Sequence, residues 1–182
     1  MQTEELIDSI LNGNHRDYEQ LIKKYQPNVF RVAMGLLHSK EDAEEITQDV
    51  FIKAFHSLSS YSGKAAFSTW LYRITVNTSL NFIRKKKRSG FWTELTSLFQ
   101  TPSTNKLANV IIEENAEKAV ISGAIQDLPE KQRVAFLLTK YEELSQKEVA
   151  EIMKISEGAV EQLVIRAKKN LRNKLEETVR KP

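Results

Sequence analysis

Between residues 70 and 88 the sequence sets an aromatic, two amides and three cations at helical spacing. At about 100° per residue, Trp70, Arg73, Asn77, Asn81, Arg84 and Arg88 fall on one stripe, away from the core-forming side of Phe67, Leu71, Ile74 and Thr78. Single-stranded nucleic acid calls for this combination, because unstacked bases lie on aromatic faces, amides read base edges and cations follow the phosphates. Burial at the edge of a core is the competing account of Trp70. Asparagine is a poor helix former, so two in a helix interior weaken it slightly, and an interaction is one reason to keep them. The stripe runs into Arg84-Lys85-Lys86-Lys87-Arg88, and a second basic run of Arg166, Lys168, Lys169, Arg172 and Lys174 lies near the C-terminus. Both stand at the end of an expected helix, where cations gain about 0.3–1 kcal/mol from the helix dipole. Five consecutive like charges exceed that need, since neighbouring cations repel and an anionic partner relieves the repulsion.

The second basic run belongs to a more constrained pattern. A short helix over 145–153, a break at Lys154-Ile155-Ser156 and a longer helix over 157–175 read as a helix-turn-helix, with Val149, Ala150, Met153, Ile155, Val160 and Leu163 placed to pack the two helices together. That geometry sets a second helix in the DNA major groove, although a plain helical hairpin has similar periodicity. Its open face is mixed: Glu157 and Glu161 repel phosphate, whereas Gln162, Arg166 and Lys169 can bond bases or phosphates.

A third surface is acidic. Glu41, Glu45 and Asp49 lie at i, i+4 and i+8, with Gln48 and Ile52 beside them. Like charges so spaced destabilise an isolated helix by a few tenths of a kcal/mol each, about 0.2–0.5. The positive N-terminal end of the helix and an expected Lys53–Asp49 pair account for part of this, and a protein partner with a basic surface accounts for the rest. Catalysis finds no comparable support. His15, His38 and His56 share no metal-ligand spacing, and neither a Gly-rich phosphate loop nor a nucleophile motif occurs, so no enzyme, catalytic residue, metal or cofactor is expected.

The elements that must carry these residues are helical throughout. The chain has 182 residues, 41% hydrophobic and 28% charged, with 6 Gly, 4 Pro and no Cys, which fits one medium or two small globular domains and excludes disulfides and thiolate sites. The acidic start MQTEELIDSI is unlike a secretory signal and no run reaches roughly 18 apolar residues, so a cytoplasmic protein without direct membrane insertion is expected. The net charge of +3 says little, but its distribution divides the chain: residues 89–112 hold only Glu94 and Lys106 between two charge-rich blocks. Helices are expected over 3–11, from near Asn14 through Leu36 with a possible kink at Pro27, after the cap Ser39 to Leu58, and over 67–88. Others are expected over 113–126, from Pro129 onward, and in the helix-turn-helix. The fold class is all-α: two small helical domains, 1–88 and 113–182, joined by a linker over 89–112, the C-terminal one containing the helix-turn-helix.

Taken together, three segments resemble one family, the bacterial RNA polymerase sigma factors of the extracytoplasmic function (ECF) group. DAEEITQDVFIKAF (42–55) is similar to that family's core-polymerase-binding helix, FSTWLYRITVNTSLNFIRKKKR (67–88) to its promoter-melting and −10 recognition helix, and residues 128–172 to its −35-binding domain. The resemblance implies that Asp42, Glu45, Gln48, Asp49 and Phe51 dock on core RNA polymerase. It implies that Lys64, Trp70, Arg73 and Asn77 melt the −10 element and capture a flipped base, while Arg84, Lys85, Lys86, Lys87 and Arg88 hold the adjoining backbone. Glu161, Gln162, Ile165, Arg166 and Lys169 would meet the −35 element, and the linker would thread the polymerase's RNA exit path. Promoter DNA and core polymerase are the implied partners, with an anti-sigma factor as the usual inhibitor. Lys154 stands where many members carry Gly, and Glu161 and Leu163 where basic residues are frequent; Glu161 suits a cytosine amine better than a phosphate. The alternative is a stand-alone helix-turn-helix regulator that binds duplex DNA without polymerase. Under the family reading, the free chain holds its two domains too far apart or masked, and polymerase spaces them over the promoter.

Overall fold

The computed structural model describes residues 2–97 and 116–180, with side chains described outside 89–97, 116–119 and 178–180. Eight helices are found among the described residues: α1 (Thr3–Leu11), α2 (Asp17–Leu37), α3 (Lys40–Ser57), α4 (Phe67–Ser97), α5 (Ala116–Gln126), α6 (Glu130–Lys140), α7 (Gln146–Met153) and α8 (Glu157–Arg180). A 3₁₀ turn at Leu58–Ser60 follows α3.

Local chemistry sets most of the boundaries. Ser39 caps α3, its Oγ accepting from the Asp42 amide at 3.2 Å. Ser145 and Glu148 form a reciprocal capping box at α7, the Ser145 Oγ accepting from the Glu148 amide at 3.3 Å and Glu148 Oε2 from the Ser145 amide at 2.9 Å. Ser156 caps α8 by accepting from the Ala159 amide at 3.2 Å. Pro129 takes the N-cap of α6, so the helix begins at Glu130, one residue later than expected. The helix α2 runs through Pro27 without a break. α4 differs more from expectation: it continues nine residues beyond Arg88 to Ser97. One glycine in a helix costs only about 1 kcal/mol against alanine, and no proline follows Gly90 until Pro102, so the Ser-Gly pair is too weak a breaker. The rest of the expected linker lies outside the described residues.

Helices α1 to α4 close around one core, in which Leu21, Val29, Ala43, Val50 and Ala54 are wholly buried beside Phe67 and Leu71. Each fully buried Val or Leu contributes roughly 1.5–3 kcal/mol of transfer free energy, so the periodic apolar faces alone can hold these helices together. The second core does not stay within the C-terminal helices. Val32 and Leu36 of α2 and Tyr72 and Val76 of α4 join Ile125, Val134, Leu138, Val149, Ile152 and Val160 in one apolar cluster. The C-terminal helices therefore lie directly against the N-terminal ones, α7 on α4 and α6 on α2.

Candidate nucleic-acid and protein interfaces

Four of the residues expected to handle a melted strand converge on one cavity. Lys64, Trp70, Arg73 and Asn77 line it with Ser60, Tyr61 and Glu151, and it encloses about 470 Å³. The loop before α4 builds one wall: Gly63 adopts φ 70°, a left-handed turn that glycine takes without strain, and the Tyr61 hydroxyl donates to the Ala65 carbonyl at 2.7 Å. Trp70 is half-buried, stacked obliquely on Tyr61 and Phe67 with ring centroids 5.5 and 5.4 Å away. The core-edge account of Trp70 therefore holds, and the ring also lines the cavity. Phe67, Leu71 and Thr78 are buried and Ile74 half-buried, as the spacing requires, whereas Asn77 and Asn81 are exposed.

The basic run after this stripe is exposed from Arg84 to Arg88, but two of its members are engaged within the chain. Arg84 Nη2 donates to Glu130 Oε1 of α6 at 2.5 Å, and Lys86 Nζ donates to Asp42 Oδ2 of α3 at 2.6 Å. The helix-dipole account is superseded by the continuation of α4 to Ser97, which puts these cations in mid-helix.

On α3, Glu41, Glu45, Gln48 and Ile52 form an exposed row, with Asp42 and Asp49 half-buried at its margins. One expectation is corrected here. Phe51 is only 6% exposed and belongs to the N-terminal core, because it shares the inward face with Ala43, Val50 and Ala54; Ile52, at 56% exposure, is the apolar side chain this face offers. Lys53 is the second correction, since its ammonium reaches the Thr78 hydroxyl of α4 at 3.3 Å instead of pairing with Asp49.

In the helix-turn-helix, Val149 and Val160 are fully buried and Ala150 nearly so, with Met153, Ile155 and Leu163 packed against them. Lys154 ends α7 in the left-handed region at φ 55°, ψ 48°, which is the backbone conformation that makes glycine frequent at such a turn. The turn therefore keeps its shape without glycine. Glu161, Gln162, Ile165, Arg166 and Lys169 are all exposed on α8, and Ile165 at 51% presents an apolar surface suited to a thymine methyl.

A further polar group was not legible from spacing. The Glu142 carboxylate, beyond α6, accepts from Arg31 Nε at 2.5 Å, Arg31 Nη2 at 2.8 Å and the Tyr72 hydroxyl at 2.9 Å, while Asn28 Nδ2 donates to the Tyr72 oxygen at 3.0 Å. Burial pushes the Tyr72 hydroxyl up to about 12, and the hydrogen bonds to Glu142 raise the Arg31 guanidinium above its ordinary value. These residues lie more than a hundred positions apart in part, so only tertiary structure unites them. His38 ends α2 with φ 55° and its Nδ1 lies 3.0 Å from the Ser122 hydroxyl of α5; burial, then the nearby Arg133 charge, lowers its pKa. Among the described residues no group of three His, Asp or Glu could hold a metal ion, and no helix is long and apolar enough to cross a membrane.

With this geometry in view, comparison with known proteins is informative. Residues 21–89 match the family model of Sigma-70 region 2, and residues 118–171 that of Sigma-70, region 4. The chain is 30% identical to the ECF RNA polymerase sigma-E factor of Haemophilus influenzae, with 94% of each chain covered. It is 29% identical to the RNA polymerase sigma-H factor of Pseudomonas aeruginosa, covering 98% of this chain and 96% of that one. Two solved structures share the fold: CnrH in complex with the cytosolic domain of CnrY, at TM-score 0.70, 23% identity and coverage of 94% and 96% of the two chains, and the sigma factor RpoE in complex with the anti-sigma factor NepR from Bartonella quintana, at TM-score 0.68, 21% identity and coverage of 88% and 98%.

Proposed function

The chain belongs to the ECF group of sigma-70 RNA polymerase sigma factors, proteins that bind core polymerase and direct promoter-specific initiation, and from that premise we propose how its surfaces divide this work. The acidic row on α3 docks on a basic surface of core polymerase, through Glu45, Gln48, Asp49 and the exposed Ile52, with Asp42 at its edge. Phe51 supports this face from the core and makes no direct contact.

The cavity at the start of α4 captures an unstacked base of the −10 element. Trp70 supplies the stacking surface, Asn77 a base-edge contact, and Lys64 and Arg73 the phosphate contacts. Arg84, Lys85, Lys86, Lys87 and Arg88 follow the adjoining backbone. On α8, Gln162, Ile165 and Arg166 read the −35 element, Glu161 accepts from a cytosine amine and Lys169 neutralises a phosphate. Residues 1–88 and 113–182 act as the two promoter-reading domains, connected by 89–112.

The chain acts without catalysis of its own and without a cofactor, in the cytoplasm beside the polymerase. An anti-sigma factor is the inhibitory partner, in line with the complex of RpoE with the anti-sigma factor NepR. The observation that carries this reading is the convergence of Lys64, Trp70, Arg73 and Asn77 on one cavity, because a regulator confined to duplex DNA has no use for an aromatic and amide pocket. The test is run-off transcription from a promoter library with the pure chain and core polymerase. Selective initiation from a subset of promoters supports the reading, and initiation no different from that of core alone refutes it.

A further inference from the structure

Arg133 of α6 is only 7% exposed, yet among the described residues no carboxylate lies within ion-pair distance of it. By contrast Arg31, Arg84 and Lys86 each hold a carboxylate across the fold, Glu142, Glu130 and Asp42 in turn. Arg133 Nη1 donates to the Gln126 carbonyl at 3.0 Å, and its buried Nε has no hydrogen-bond partner. The negative end of α5, where Gln126 lies, offsets part of the charge. Glu130 acts on Arg133 from farther away but is already bound to Arg84, and burial still draws the guanidinium below its ordinary pKa. Taking a guanidinium out of water is costly unless a counter-charge meets it, so an unpaired one at this depth asks for a reason.

The same arginine lines a cavity of about 360 Å³ bounded by α2, α3, α4, α5 and α6. Lys86 and Lys87 of α4 line it too, so three cations face a single carboxylate, Asp42, which is itself bonded to Lys86 at 2.6 Å. Lys87 has no partner among the described residues. The apolar part of the wall includes the half-buried Leu37, Phe82 and Ile83, which a ligand with an apolar or planar body would remove from water. We infer that this cavity binds a small organic phosphate, its phosphoryl group held by Arg133 and Lys87 and its body lying on Leu37, Phe82 and Ile83. The excess of cations over carboxylate suits the charge of about −1.5 to −2 on a phosphate monoester better than the single charge of a carboxylate. Guanidinium and ammonium together are a natural phosphate clamp. The volume falls in the range of roughly 300–1,000 Å³ usual for small-molecule sites. A nucleic-acid backbone following the exposed face of α4 reaches Lys87 but not the buried Arg133, so it leaves that charge unmet.

The test is isothermal titration calorimetry of the full-length chain, at constant ionic strength, with phenyl phosphate, adenosine 5′-monophosphate and inorganic phosphate. One saturable site is expected, taking an organic phosphate about tenfold or more tightly than inorganic phosphate, which covers none of the apolar wall. The tighter of the two organic probes tells a small aryl body from a nucleoside. Lys87→Gln should weaken binding about tenfold and Arg133→Gln should abolish it, as expected when a charged donor to phosphate is removed. Lys140→Gln, at an exposed cation outside the cavity, should change nothing. Circular dichroism verifies the helices of each variant. Should Arg133→Gln fail to fold, Lys87→Gln and Ile83→Ser decide, the second by narrowing the gap between organic and inorganic phosphate. Absence of saturable binding by either organic probe overturns the proposal and leaves Arg133 as a clamp on the end of α5. Equal weakening by Lys87→Gln and Lys140→Gln also overturns it, because anions are then drawn diffusely to a basic surface. Neither polymerase nor promoter enters the assay, so its outcome is separate from that of the sigma-factor reading.

Discussion

Phe51 and Ile52 are adjacent in sequence and opposite in consequence. Phe51→Ala should lower stability by about 3–5 kcal/mol, because the cavity left in the core cannot fully collapse, and chemical denaturation measures it. Ile52→Glu should leave the melting temperature within error and reduce affinity for core polymerase by about tenfold or more, as expected when a central apolar contact is lost from an interface. Asp49→Lys should abolish co-purification with polymerase while preserving the fold; normal co-purification by both surface variants would remove the docking face from α3. Trp70→Ala should impair promoter opening, read by permanganate footprinting, more than −35 binding, and equal loss of both would contradict the division of labour. His38 gives a pH dependence with a definite sign. Its folded pKa lies below the unfolded value of about 6.5, so the folded state binds fewer protons, and stability present above pH ~6.5 is lost as pH falls toward the folded pKa. Denaturation between pH 7 and 5 should reveal this decline, and His38→Gln should flatten it.

At the scale of elements, the spacing of capping residues made α3, α7 and the start of α8 legible, because Ser39, Ser145 and Ser156 each accept from the amide three positions on. The end of α4 was not legible. Ser89-Gly90 resembles a stop, yet a helix already anchored by Phe67, Leu71 and Val76 can continue through one glycine, since tertiary packing outweighs a local propensity of about 1 kcal/mol. The Lys53 partner was equally hidden, as Thr78 comes within reach only when α3 and α4 pack. The α7–α8 turn offers a direct check. Lys154 holds a left-handed conformation at some strain, so Lys154→Gly should stabilise the protein by about 0.5–1 kcal/mol after the added freedom of the unfolded chain is deducted. A melting temperature that falls instead would mean that the lysine side chain stabilises the turn by contacts of its own.

For the whole molecule, the sequence made the all-α class and the helix-turn-helix readable because each is written in local periodicity, and the same periodicity is what groups the residues of the three proposed surfaces. The packing of the C-terminal helices on α2 and α4 is not readable in this way, since Arg31, Tyr72 and Glu142 meet only after the chain folds back on itself, and the room that Gly35 leaves is seen only under Leu137. In the free chain the α8 face proposed to read the −35 element is exposed, while Glu151 of α7 lines the cavity proposed for the −10 element. Duplex binding by the chain alone should then be weak and steeply salt-dependent, resting on α8 and its phosphate contacts. The most direct measurement is footprinting of a cognate promoter with the chain, with core polymerase and with both together. Protection spanning the −35 and −10 elements, with an opened −10 region, is predicted only for the mixture; the same protection by the chain alone would contradict the account.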